Sequence, residues 1–177
     1  MKYAALLRGI GPGNPNMHGA KLRGFFEDLG FSDVQSVISS GNVVFESPKR
    51  DVSALETKIE KALPAKLSFS STTIIRSREE LQKLADSAPF GKLEHGRQSY
   101  LMVTFFKHPT VVKFSLPYKP PGKPYELLTV KDKALMTVTD NTQVGTTDLM
   151  TWLERQFGKE ITSRTWLTVR RILKKMG

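Results

Sequence analysis

Residues 8–16 read Arg-Gly-Ile-Gly-Pro-Gly-Asn-Pro-Asn and hold the densest set of groups able to grip an anion. Glycines let backbone N–H groups turn toward a ligand, and a helix N-terminus after such a loop adds partial positive charge. Arg8 offers a two-pronged grip on phosphate or carboxylate. Asn14 and Asn16 add amides, and Ser39, Ser40 and Asn42 of the Ser-Ser-Gly-Asn segment add hydroxyls and another amide. The competing reading is a plain strand-to-helix connection, with Asn16 as helix cap and Arg8 paired to an acid. Arg164 is the remaining candidate, as part of a basic C-terminal helix closing over this polar edge. Against it, Trp166, Val169, Leu173 and Met176 form an apolar stripe at helical spacing, capped by Ser163, and such stripes usually pack into a core.

Other chemistries find little support. Neither a Walker loop nor a G-x-G-x-x-G fingerprint is present. His18, His95 and His108 lack metal-ligand spacing, so no metal site and no cofactor are expected. No serine sits in a G-x-S-x-G elbow, and Glu79-Glu80 reads as a helix start before an acid/base pair. The chain has no cysteine, which removes thiol nucleophiles, thiolate metal sites and disulfides and fits a reducing, cytoplasmic setting. No catalytic constellation is readable, and the reading leans away from an enzyme.

The elements that must hold the polar edge follow from periodicity. A short apolar run at 2–8 reads as a strand; it is too short for an export signal, and no stretch approaches a membrane span. Leu22, Phe25, Phe26 and Leu29 mark a helix stopped by Gly30. Strands are expected at 33–38 and 42–46, a helix at 53–63 broken by Pro64, and a β-branched strand at 71–76. The order β-α-β-β-α-β is the ferredoxin-like pattern. A crossover helix makes the first two strands co-directional, so the 9–16 segment and the 39–42 segment should share one edge of the sheet.

The second half is less regular. Ser77-Arg-Glu-Glu80 is a capping box for a helix with Leu81, Leu84 and Ala88 inward. A strand at 99–106 precedes residues 107–125, which hold five of the ten prolines and four lysines and read as a connection or sheet edge. A hairpin around 131–133 and helices at 147–157 and 163–176 complete the chain. No repeat is visible. The expected organisation is a ferredoxin-like α+β half at 1–76 packed against a smaller, basic α+β half at 77–177.

At 177 residues the chain can bury roughly 70% of its unfolded surface without staples. Its 27 Lys and Arg against 17 Asp and Glu are unevenly placed, with a net of +3 over residues 1–76 and +7 over 77–177. Such a balance points to nucleic acid or another polyanion, although dispersed lysines also suit a plain solvated surface.

Leu7-Arg-Gly-Ile10, Leu29-Gly-Phe31, Ser40-Gly-Asn-Val-Val-Phe45 and Ile161-Thr-Ser-Arg-Thr-Trp-Leu-Thr-Val169 resemble the motifs of a bacterial family catalogued as domain of unknown function 1697. The resemblance implies a ferredoxin-like part with a second α+β part, and no activity. The chain departs from the family pattern at Gly11, where asparagine is usual, and at Pro15, in place of a loop lysine. Thr147-Asp148-Leu149 stands for Ser-Lys-Leu, and Thr165 and Leu167 replace the asparagines flanking the closing tryptophan.

Three functions fit. The first is a non-catalytic binding protein for an anionic small molecule or nucleic acid, with no membrane partner, using the edge of 8–16 and 39–42. RNA-recognition domains share the βαββαβ order and stack bases on central-strand aromatics, here Tyr3 and Phe45, and the basic stretch 107–125 could follow a phosphate backbone. The second is a small phosphate- or acyl-phosphate-directed hydrolase resembling acylphosphatases, with Arg8 and Asn42 as the functional pair. The third is a structural or interaction protein with no ligand.

Overall fold

The computed structural model describes residues 1–9, 13–38 and 41–177, with the Met17 side chain excepted. Eight strands and five helices follow in chain order among these residues. The chain divides into two compact units, residues 1–83 with 170–177, and residues 84–169.

Unit 1 is built on strands β1 (Lys2–Leu7), β2 (Ser32–Ser36), β3 (Asn42–Glu46) and β4 (Thr73–Ser77), in the order β2-β3-β1-β4. Each neighbouring pair is antiparallel, so β1 and β2 point the same way with β3 between them. Helices α1 (Gly19–Asp28) and α2 (Val52–Leu67) supply the apolar stripes Leu22, Phe25, Phe26 and Leu55, Ile59, Leu63. These meet Tyr3, Ala5, Leu7, Val43, Phe45 and Ile75 in one core. Phe45 lies at its centre, with ring centroids 4.5 Å from Phe31 and 5.4 Å from Phe26.

Tyr3 and Phe45 therefore face the helices, at 1% and 0% exposure. They form no open platform for bases, because strand alternation assigns odd positions of β1 to the helix side. Pro64 does not end α2. The helix continues one turn to Leu67, which carries the buried stripe on by four residues, and closes at left-handed Ser68, whose N–H donates to Pro64 O at 3.2 Å. Near a C-terminus the proline removes one backbone bond, a cost that burying Leu67 offsets.

Strand β4 lies at the sheet edge, where unpaired N–H groups invite association. Helix α2 blunts it: Glu60 Oε1 accepts from Thr73 N at 2.8 Å and Glu56 Oε1 from Ile75 N at 2.9 Å. Spacing i, i+4 on the helix thus matches spacing i, i+2 on the strand. At the end of β4, Ser77 opens α3 (Arg78–Asp86) with a reciprocal capping box. Ser77 Oγ accepts from Glu80 N at 3.1 Å and Ser77 N donates to Glu80 Oε2 at 2.8 Å. Leu81 and Leu84 are buried as expected, whereas Ala88 lies beyond the helix at φ 44° and is exposed.

Unit 2 holds β5 (Tyr100–Phe106), β6 (Tyr125–Lys131), β7 (Ala134–Thr139) and β8 (Ile161–Thr165), ordered β6-β7-β5-β8 and again antiparallel throughout. Strand β8 corrects the expected helix start at Ser163. Helix α5 (Trp166–Lys175) begins only after it, and Thr165 Oγ1, not Ser163, accepts from Thr168 N at 3.1 Å. Helix α4 (Thr146–Phe157) covers one face through Leu149 and Leu153. Beside it runs an extended strap in which Val112, Phe114, Leu116 and Tyr118 pack inward while Val111, Lys113, Ser115, Pro117 and Lys119 are exposed.

The two sheets repeat one arrangement that the sequence does not show. Tyr3 pairs with Phe45 and Ser77; Met102 pairs with Thr137 and Thr165 in the matching row. One row along, Ala4 pairs with Arg76 and Val103 pairs with Arg164. Each arginine donates Nη1 to the carbonyl of its preceding residue at 2.8 Å. Unit 1 places a helix between its first two strands, and unit 2 places the strap there.

Ser77→Ala removes the half of the α3 capping box made by the Ser77 hydroxyl and leaves the backbone N–H bond to Glu80 in place. We expect a loss of about 1 kcal/mol in urea-induced unfolding of the whole chain. An unchanged midpoint would show that the box is dispensable.

Candidate functional site

The exit of β1 is held on both sides. Leu7 N–H donates to Gly41 O at 2.8 Å, Arg8 N–H donates to Thr72 O at 2.9 Å, and Ser71 Oγ donates to Arg8 O at 2.7 Å. The segments after β1, before β3 and before β4 therefore converge on one end of the sheet. Gly9, at φ +71°, turns the chain away from this fixed point.

Beyond it the asparagines act on backbone and on one another. Asn14 Oδ1 accepts from Asn16 N at 3.0 Å and caps a 3-10 turn at Pro15–Met17. Asn16 Nδ2 donates to Leu67 O at 2.9 Å, tying the loop to the end of α2, and its Oδ1 accepts from Lys21 Nζ at 3.0 Å. Asn42 is buried at 3% exposure, and its Nδ2 donates to Val37 O at 3.1 Å while its own carbonyl accepts from Val37 N at 2.9 Å. Ser39 and Ser40 lie outside the described residues.

Helix α1 starts against the same end. A Cβ on Gly19 would stand 2.6 Å from Ser36 Oγ, so a side chain there would displace that hydroxyl. Arg23 Nη1 donates to that Ser36 hydroxyl at 2.9 Å. Arg8 and Arg23 are half-buried, and Lys21 is exposed. The segments forming this end, 8–26, 36–42 and 67–73, contain Arg8, His18, Lys21 and Arg23 and no aspartate or glutamate. Charge carried by these segments is of one sign, and the one carboxylate described as reaching them is Glu60 of α2, which accepts from Thr73 N.

One backbone feature here escapes sequence reasoning. Ile38 sits at φ 60° with 44% of its surface exposed, a left-handed conformation that is unfavourable for a β-branched residue. Gly41 follows at φ 65°.

Arg164 belongs to unit 2, on β8. Besides the Ser163 carbonyl, its Nη1 donates to Thr162 Oγ1 at 2.8 Å, and burial pushes its pKa down to about 10. It remains charged at neutral pH.

Unit 2 has its own concentration of polar groups. Ser99 Oγ, Thr137 Oγ1, Thr139 Oγ1 and Asn141 Oδ1 are buried without a hydrogen-bond partner among the described residues, and the buried Tyr125 hydroxyl lies beside the Asp148 carboxylate. All sit toward the end of the sheet where β7 runs out into α4. Burial first, and the Asp148 carboxylate second, push the Tyr125 hydroxyl up to about 12. Lys123 Nζ, 3.1 Å from Asp148 Oδ2, holds that carboxyl below its usual range. Clustered hydroxyls of this kind are the setting in which proteins hold internal water.

Among the described residues no group of three His, Cys, Asp or Glu could hold a metal ion. Nor is any described helix long and apolar enough to cross a membrane.

Comparison with known proteins agrees with this architecture. The solved structure titled conserved bacterial protein SP0830 from Streptococcus pneumoniae is similar over 99% of this chain and 97% of its own, with a TM-score of 0.70 and 22% identity. At that identity the likeness speaks for the fold alone. No curated protein matches the chain. The family model described as protein of unknown function (DUF1697) matches residues 1–135, and with three quarters of its length covered the chain belongs to that family.

Proposed function

We propose that this protein is a non-catalytic binder of a small oxyanion, held at the end of the unit 1 sheet where β1 exits. In this reading unit 1 is a ferredoxin-like domain, and unit 2 is a variant with the strap in place of the first helix. The carrying observation is the convergence of three acid-free segments on the fixed exit at Leu7 and Arg8.

The roles divide between bracing and binding. Asn14, Asn16 and Asn42 hold the edge in shape through the backbone bonds described above. In this reading Arg8 supplies the charge, with Lys21 and Arg23 following in the same acid-free segment, and the glycine-rich segment supplies backbone N–H groups. The bond from Asn42 to Val37 supports binding over hydrolysis, since the acylphosphatase-like reading needs that amide on the substrate. Ser39 and Ser40 are hydroxyl donors in this proposal.

Titration calorimetry of the full chain with inorganic phosphate tests it. Arg8→Gln should weaken binding at least tenfold, the scale of one lost charge-assisted pair, in a protein that circular dichroism shows to be folded. Equal affinity in a folded Arg8→Gln protein would contradict the reading. Asn42→Ala should behave in the opposite sense. By leaving Val37 O without its donor it should cost about 1–3 kcal/mol in chemical denaturation. A stability within error of wild type would remove its bracing role.

A further inference from the structure

Unit 2 places a hydroxyl where unit 1 places an aromatic ring. Strand register matches Thr137 to Phe45, since Met102 stands opposite Thr137 as Tyr3 stands opposite Phe45. Two residues on, Thr139 lies between Tyr100 and Tyr125 of the flanking strands. Residues paired directly across strands share a face. Met102, Tyr125 and Leu127 pack with Leu149 and Leu153 of α4, so both threonines turn into that core. Each is 0% exposed.

A hydroxyl buried in a core costs stability unless it is hydrogen-bonded. Elsewhere on this sheet the need is met locally. Thr104 Oγ1 lies 2.7 Å from Ser163 Oγ, and Thr165 Oγ1 lies 2.9 Å from Thr168 Oγ1. Thr137 Oγ1 and Thr139 Oγ1 have no such partner among the described residues, and neither do Ser99 Oγ and Asn141 Oδ1 at the same end.

These groups select their ligand. All four atoms are shut off from bulk solvent, so the ligand is small enough to enter a closed interior. All four are neutral and give an ion no compensating charge. The nearby carboxylates are engaged, Asp148 by Lys123 and Asp140 by Thr142 and Gln143. Water both donates and accepts, and an internal water makes about three hydrogen bonds. Spacing agrees. Residues i and i+2 of a strand are about 6.6 Å apart, and a water reaches an oxygen on either side at about 2.8 Å. From Thr137 to Asn141 the chain covers about 13 Å, more than one molecule bridges.

We infer that unit 2 holds a file of at least two internal waters along β7, joining the hydroxyls of Thr137 and Thr139 to Ser99 and Asn141. These waters complete the unit 2 core by hydrogen bonding where Phe45 completes unit 1 by packing. The inference concerns unit 2 alone and does not rest on the oxyanion reading of unit 1.

Oxygen-17 relaxation dispersion of the solvent, measured on the full chain, detects long-lived internal waters and is blind to hydroxyl exchange. The double variant Thr137→Val, Thr139→Val keeps side-chain shape and removes both hydroxyls. It should lose dispersion amplitude worth at least one water, and the matching Thr→Ser variant should retain it. If the double valine variant does not fold, Thr139→Val alone replaces it in the dispersion measurement. In urea unfolding Thr139→Val should lower the folding equilibrium constant about fivefold, the scale of one lost hydrogen bond. A dry, unpaired hydroxyl gives the opposite sign, because valine relieves its burial. A more stable Thr139→Val protein would overturn the inference. So would a wild-type chain without long-lived water, or equal amplitudes in wild type and folded valine variants.

Discussion

The pairing that carries the rest is the extension of the sheet ladder one step past the first strand. In unit 1 Leu7 and Arg8 donate to neighbours on both flanks. The central strand therefore does not fray where it leaves the sheet. The chain thus leaves β1 from a fixed point with a fixed direction. Gly9 turns it, Asn14 caps it, and Asn16 anchors it to the end of α2. Without that first step the later anchors would have to locate the loop alone, against the entropy of a segment rich in glycine.

The same device recurs at Phe106 and Lys107, and the two units then diverge. Unit 1 continues to a helix whose first residue, Gly19, lies close against the Ser36 side chain. Unit 2 continues into an extended strap whose alternate residues, not a helical stripe, fill the space beside α4. Geometry is repeated while chemistry is not: the matched positions are Arg8 and Lys107 at the exits, but Gly41 and Lys133, Thr72 and Glu160 beside them. The Glu60 carboxylate, accepting from Thr73 N, lies one residue from the first exit, and Glu160 lies at the second. Arg76 and Arg164 are the exception, kept alike two residues before the start of the next helix. Burying a guanidinium is costly without hydrogen-bond acceptors, and both arginines take the carbonyl just before them.

Legibility in the sequence depends on whether local rules agree with tertiary needs. Helix α1 is legible because Leu22, Phe25 and Phe26 fall on one stripe, and the Ser77–Glu80 box because its bonds are local. The shared edge is legible through topology, since co-directional strands must end on one side. Strand β8 is not. Its five residues are mostly polar, and the strong stripe beginning at Trp166 draws the expected helix backward over them. Pro64 misleads because the burial of Leu67 outweighs a local breaker. The repeat is hidden because rows keep register, not residue type: Tyr3 matches Met102, and Phe45 matches Thr137. At the site, residue types alone cannot say that Asn42 faces Val37 O, since asparagine serves a turn and a ligand equally well.

A prebuilt, positively charged end at the exit of β1, offered to an oxyanion, is the centre of the proposed function. Amide shift mapping of the isotopically labelled chain, titrated with inorganic phosphate, addresses it residue by residue. The largest saturable shifts should fall at Arg8, Gly9, Gly13 and Gly41, with Asn42 and the β3 amides behind them nearly still. Shifts concentrated away from these residues, or none at millimolar phosphate, would contradict a binding role for this end of the sheet.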